Sequence, residues 1–374
     1  MSITSADFYS LWMFRCASLL RQKAELQVEC SPSWGARGRV LLTRCRSLFL
    51  IALLAMFLCL PDRAAAERAS ASVLTIGNSF ADNATAYLPD LAKAGGKNLI
   101  LFRANIGGAS LERHAFHLAK AEANSNDPEG RPYRGRPDPK TGAARDFSLP
   151  EALSCQAWDF VTLQQVSQLS FRPETYHPYT EQLIAAVRKN APTAEILIHQ
   201  TWAYRMDHPL FRVGDGFTPR AMYLGIRYAY DQLADQTKFR ILVVGDAFHL
   251  ARETRRWKFT PDPSFAPVTA TDGQLPDQRR SLNVGWFWSK APGQTQPTLK
   301  LDAIHANPAG RYLGAVVFYM TIFDTSEVPA SFTPQGLSEP DAAALRALAQ
   351  AAVLAERANR ALESRTYSPP VRSN

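Results

Sequence analysis

Two stretches carry residues whose types and spacing could do chemistry. In "VLTIGNSFADN" (residues 73–83) a short apolar run stops on Gly77-Asn78-Ser79, and a helix pattern begins directly afterwards. A serine there can serve as a turn that caps the helix. It can also be a hydroxyl presented at the carboxyl end of a strand, a poor nucleophile until a base takes its proton. In "LDAIHANPAGRYLGAVVFY" (301–319), Asp302 and His305 stand three apart in what reads as a loop ahead of an apolar helix. A carboxylate at that spacing can hold the imidazole in the tautomer a general base needs. The pattern is weak by itself, since Asp246 and His249 in "GDAFH" repeat it, and structural hydrogen bonding explains that second pair equally well. Its force comes from the order Ser79…Asp302…His305.

Further residues invite a chemical reading. His114 and His117 in "ERHAFH" have a spacing that can bind a metal, but no Cys or carboxylate set completes a site, so they are expected at a rim or facing solvent. His199 and Trp202, ending "ILIHQTWAY", are expected near the top of a sheet, either as substrate wall or, for the histidine, as a satisfied core residue. No residue pattern calls for a metal or another cofactor.

The elements that must position these groups alternate between strand and helix patterns. Strands are expected at 72–76, 98–105, 158–165, 195–204 and 240–248. Helices are expected at about 82–95 (with Asp82 as N-cap and Gly95-Gly96 at its end), 110–122, 174–190 and 219–236, with a terminal one at 339–364. That alternation predicts an α/β fold with a parallel sheet covered on both faces. Ligands of such sheets collect at the carboxyl ends of the strands, where Ser79 falls. Two polar, Pro- and Gly-containing stretches interrupt the rhythm. Residues 123–148 include "DPKTG", a hairpin turn, and 256–300 include the aromatic "VGWFWSK"; either is a surface loop or a wall over the site. Residues 67–374 otherwise read as one domain.

The front of the chain reads as an export signal. Residues 47–60, "SLFLIALLAMFLCL", are too short for a comfortable membrane span and are preceded by Arg44 and Arg46. An A-x-A pattern ends at Ala66, which predicts a mature chain from about Glu67 and a periplasmic or secreted location. Residues 1–39 are long for such a signal, and a start near Val40 gives an ordinary one. Residues 1–66 hold eight Lys/Arg and four Asp/Glu, so the formal charge of +8 falls to +4 without them. No basic stripe interleaved with aromatics appears, so the charge makes no case for nucleic acid. Four of the five cysteines also leave, and Cys155 is then a lone, small apolar residue with no partner for a disulfide.

"IGNSF", "NIGGAS" and "DAIHANPAGRYL" together resemble the SGNH hydrolase superfamily, also called GDSL-like esterases. With "GGASLERH", "WDFVTLQQ", "QTWAY" and "VGDAF" in the same order over residues 72–325, the chain is most similar to a bacterial branch catalogued as a domain of unknown function. The resemblance implies a flavodoxin-like three-layer α/β/α sandwich around a five-stranded parallel sheet. It implies Ser79 as nucleophile, His305 as general base and Asp302 as its orienter. It further implies an oxyanion hole from the backbone N–H of Ser79, that of Gly108 (or Gly107), and a side-chain amide. Here the chain departs from the superfamily's Gly-x-Asn-Asp block and has "LQQVS", leaving Gln164 ahead of Gln165 for that donor, with Gln165 and Gly107 otherwise expected as substrate wall. It also has Gly-Asn-Ser where the group's name expects Gly-Asp-Ser.

The expected function is therefore an exported serine esterase acting on a small-molecule or carbohydrate ester, with O-acetyl groups as candidates, through a covalent acyl-enzyme. A metal-assisted hydrolase using Asp302, His305 and another histidine, and a non-catalytic carbohydrate-binding or scaffold protein on the same fold, are the rivals.

Overall fold

The structure, a computed structural model, describes residues 67–212 and 216–366, with side chains through residue 360. The expected export signal and the early-start extension lie outside the described residues. Among those described, no helix is long and apolar enough to cross a membrane.

Strand β1 (Ser70–Gly77) is the centre of the fold, with every residue from Ala71 onward buried. Its continuous apolar run is what a strand covered on both faces requires. On one side it pairs in parallel with β2 (Asn98–Asn105), Val73 opposite Leu101 and Gly77 opposite Asn105. On the other it pairs with β5 (Phe160–Leu163), Ile76 opposite Leu163. Strands β6 (Glu195–His199) and β7 (Arg240–Leu242) complete a five-stranded parallel sheet in the order β2-β1-β5-β6-β7. This is the flavodoxin-like winding, which opens a crevice at the carboxyl ends of β1 and β5, where the order reverses.

Helices cover both faces of the sheet. Following β1 are α1 (Ser79–Ala84) and α2 (Leu88–Ala94), two short helices where the sequence suggested one. The break falls before Pro89, which lacks the N–H that a continuous helix would need there. Asn78, not Asp82, is the N-cap of α1, its side chain accepting from the Phe80 N–H. The crossovers add α3 (Leu111–Ala123), α4 (Leu149–Ser154), α5 (Tyr179–Asn190) and α6 (Pro219–Thr237). After β7 the chain turns at once into α7 (Val244–Glu253), so the apolar "VVGDAF" read as strand is largely helix. Short apolar runs do not distinguish a buried strand from a buried helix start. The result is the three-layer α/β/α sandwich.

Two antiparallel hairpins are appended. β3 (Tyr133–Pro137) and β4 (Ala144–Phe147) form one, turning through the expected "DPKTG". β8 (Asn283–Ser289) and β9 (Thr298–Ala306) form the other. Asp302 and His305 therefore ride on a strand and not in a loop. Asn307 caps the next helix, α8 (Pro308–Ile322), which is buried along nearly its whole length and packs against α1, α2 and α7. The terminal α9 (Glu339–Thr366) lies on α7 and α8.

Candidate active site

Ser79, His305 and Asp302 meet although 226 positions separate the first two. Ser79 Oγ lies 2.8 Å from His305 Nε2, and His305 Nδ1 lies 2.9 Å from Asp302 Oδ2 and 3.1 Å from Oδ1. A carboxylate only accepts, so Nδ1 carries the proton and Nε2 is left to accept from the serine. The Asp302 carboxylate also accepts from the backbone N–H groups of His305 (2.9 Å) and Ile304 (3.2 Å). Partial burial pushes its pKa up, but these donors and the imidazole outweigh burial and hold it below the usual carboxylate value. It thus stays charged, facing the ring whose proton it orients.

The turn that presents Ser79 is built from three neighbours. Gly77 has no side chain because a Cβ there would stand 2.4 Å from Gln164 Oε1. Gln164 therefore lies directly against the turn, and its Oε1 accepts from the Asn78 N–H at 3.3 Å. The Asn78 amide accepts from the Phe80 N–H at 3.0 Å and donates to the Ala109 carbonyl at 3.0 Å. That second bond ties the serine turn to the Ile106–Ala109 loop after β2. Within this loop Gly108 holds a left-handed φ of 66°, which favours glycine. The N–H groups of Gly107 and Gly108 have no acceptor among the described residues, and both glycines are exposed.

The two glutamines separate clearly. Gln165 is fully engaged: its Oε1 accepts from the Leu111 and Val166 N–H groups and its Nε2 donates to Thr175. It locks the base of α3 and is no substrate wall. Gln164 Nε2 is buried and has no partner among the described residues.

His199 and Trp202 are not wall residues either, being fully buried. His199 stands edge-on to Phe318 with both nitrogens unpartnered, and burial pushes its pKa down to about 3. Trp202 is stacked between Phe80 (4.0 Å) and Phe248 (4.6 Å), and its Nε1 donates to the Ile304 carbonyl beside His305. His114, expected at the rim, is buried as well. Its Nε2–H donates to the Gly77 carbonyl at 2.8 Å and its Nδ1 accepts from Tyr133 at 3.0 Å, a neutral ring whose pKa burial lowers to about 4. His117 Nδ1 meets the Glu129 carbonyl. Asp246 is taken up by Gln200, Tyr223 and Arg227. Among the described residues no group of three or more His, Cys, Asp or Glu is arranged to hold a metal ion. Cys155 is half-buried, its thiol pKa raised by desolvation.

Sequence reasoning missed the residues that brace this constellation. Asn283 Nδ2 also donates to the Ile304 carbonyl, while its Oδ1 accepts from Arg252. Asn83 Oδ1 accepts from the Ala306 N–H. Asn83 was legible in principle, since it stands one helical turn after Ser79.

Comparison with known proteins follows the same outline. The family described as "Domain of unknown function (DUF4886)" matches residues 72–228. A crystal structure of a DUF4886 family protein from Bacteroides uniformis aligns with a TM-score of 0.56 at 24% identity, covering 76% of this chain and 95% of that one. A candidate SGNH hydrolase from Slackia heliotrinireducens aligns with a TM-score of 0.38 at 23% identity, covering 67% and 98%. No curated protein matches. The resemblance read from the sequence thus holds: residues 72–228 match the domain of unknown function DUF4886, and the chain shares its fold with a solved protein of that family.

Proposed function

We propose that this protein is an exported serine esterase of SGNH type that cleaves an ester, with O-acetyl groups on carbohydrate as the leading substrate class. The observation that carries the reading is the continuous chain Ser79 Oγ–His305 Nε2, His305 Nδ1–Asp302, with distances of 2.8 and 2.9 Å. Ser79 Oγ attacks the ester carbonyl carbon while His305 Nε2 takes the serine proton. The carbonyl electrons move onto oxygen, and the N–H groups of Ser79 and Gly108 with Gln164 Nε2 receive that oxyanion. The exposed N–H of Gly108, with no acceptor among the described residues, supports its assignment; Gln164 is assigned from the superfamily resemblance and its place against the Ser79 turn, its Nε2 being buried. As the tetrahedral centre collapses, the alcohol leaves with the proton from His305, giving an acyl-Ser79. Water then attacks the acyl carbon, His305 takes its proton and returns it to Ser79, and the acid departs. Export is supported by the apolar run at 47–60 and the A-x-A pattern ending at Ala66; the carbohydrate preference follows from export and from the superfamily resemblance.

The test is fluorophosphonate labelling of purified residues 67–374, wild type beside Ser79→Ala, with mass mapping of the modified peptide. Labelling at Ser79 that disappears in the variant at unchanged melting temperature is the expected result. A folded wild-type protein that takes up no label overturns the serine mechanism. Acetylated sugars and p-nitrophenyl acetate are then the first substrates to measure, and N-terminal sequencing of the secreted chain checks cleavage after Ala66.

A further inference from the structure

The backbone on both sides of His305 is held by side chains that do not touch its ring. Before it, the Ile304 carbonyl accepts from Trp202 Nε1 at 2.9 Å and Asn283 Nδ2 at 3.1 Å. After it, the Ala306 N–H donates to Asn83 Oδ1 at 2.8 Å, across 223 positions of chain, and the Ala306 carbonyl accepts from Arg311 Nε. Trp202 and Asn283 reach β9 from the sheet and from its own hairpin. Asn83 is different, because it belongs to α1, the helix that begins at Ser79.

Residues four apart on a helix share a face. Helix α1 therefore meets β9 at two points, Ser79 Oγ at the His305 ring and Asn83 Oδ1 at the next backbone N–H. This matters because β9 is not a strand of the central sheet; among the described residues it pairs with β8 alone. Among the described residues no strand ladder joins β9 to the central sheet, and helix α1 is only six residues long. We infer that Asn83 is the positioning residue that sets the Ser79–His305 distance, a cross-tie between the nucleophile's helix and the base's strand. The inference rests on reading Ser79 and His305 as nucleophile and base.

The experiment compares Asn83→Leu and Asn83→Ala, which remove the acceptor, with Asn83→Asp, which keeps one. The two acceptor-free variants guard against a folding defect in either. Three readouts are taken: the rate of fluorophosphonate labelling at Ser79, kcat and KM on p-nitrophenyl acetate, and melting temperature. A misplacement of about 1 Å costs about a hundredfold in rate. The acceptor-free variants should thus lose about ten- to a hundredfold in kcat and labelling rate, with KM and melting temperature nearly unchanged, and Asn83→Asp should restore most of that loss. Wild-type rates in both acceptor-free variants, a change confined to KM, or no rescue by Asn83→Asp overturns the positioning role. Those outcomes arise with wild type labelled, whereas an unlabelled wild type removes the serine mechanism and the role of Asn83 with it.

Discussion

Asn78 holds the residue at which the Gly-Asn-Ser triplet departs from Gly-Asp-Ser, and its bonds show what the amide does. It accepts from the Phe80 N–H as a helix cap and donates to the Ala109 carbonyl as a clamp on the glycine loop. Asp caps helices as well as Asn, and its charge suits a helix N-terminus. It cannot donate, and its carboxylate would face the Ala109 carbonyl oxygen. Asn78→Asp keeps the cap and removes the clamp: kcat should fall about tenfold, the equivalent of about 1.4 kcal/mol, and the melting temperature should fall as well, because the new carboxylate is buried against a carbonyl oxygen. Steady-state kinetics beside thermal melting checks this, and unchanged kcat would reduce Asn78 to a cap. At this scale the sequence was readable where chemistry depends on residue type and order. The meeting of Ser79, Asp302 and His305 was anticipated that way. It misled where burial decides, because His114, His199, Trp202 and Gln165 are polar or amphipathic residues whose positions near strand ends say nothing about which way they face.

Among the elements, the β8–β9 hairpin and the excursion before it depend on one buried ion pair. Arg205 and Asp207 are almost wholly buried and joined by two bonds of 2.7 Å, while Arg205 Nη1 also donates to Gln278 Oε1 at 2.8 Å. The Gln278 amide in turn exchanges bonds with the Trp286 backbone, accepting from its N–H and donating to its carbonyl, as a neighbouring strand would. Gly285, against the Arg205 guanidinium, pairs with Asp302 across the hairpin. The arginine thus fastens the 256–282 segment to the strand that lies opposite Asp302. Replacing it by methionine strands the Asp207 carboxylate in the interior, a loss of about 3–5 kcal/mol. Arg205→Met should lower the urea midpoint and open residues 256–282 to limited proteolysis, and adding Asp207→Leu should recover much of the stability. Equal stability of Arg205→Met and wild type would remove the pair from this role. None of this was legible beforehand: the aromatic "VGWFWSK" reads as a loop because its pattern is broken by Gly285, whose φ of 83° and register shift mark an irregularity in the ladder. Asp302 and His305 looked like loop residues for a related reason, since the strand that carries them alternates poorly and is buried only in part.

Over the whole molecule, the parallel sheet could be anticipated because alternation of apolar runs with helical periods is a long-range pattern, insensitive to errors at any one boundary. The boundaries themselves were set by packing, as when α7 begins at Val244 inside an apolar run. The same packing gives the molecule its response to acid. His114 and His199 are both fully buried, with pKa values lowered to about 4 and about 3 from 6.5. A folded pKa below the unfolded one means that the unfolded chain binds more protons between these values, so stability falls as pH drops below about 6.5 and continues to fall toward about 4. Each such histidine contributes a slope of about 1.4 kcal/mol per pH unit in that window. Asp302 adds in the same direction, its stabilising charge being lost as pH falls through its lowered pKa. His199 is the cleaner probe, because its nitrogens have no partner to lose among the described residues, whereas His114 supports the Gly77 carbonyl behind Ser79. His199→Leu should therefore be neutral or stabilising at pH 7, since an unpaired buried polar group is removed. It should also flatten the decline in urea midpoint between pH 6 and pH 5. Urea unfolding of both proteins at the two pH values decides the matter, and parallel declines in wild type and variant would show that His199 is protonated equally in the folded and unfolded chain.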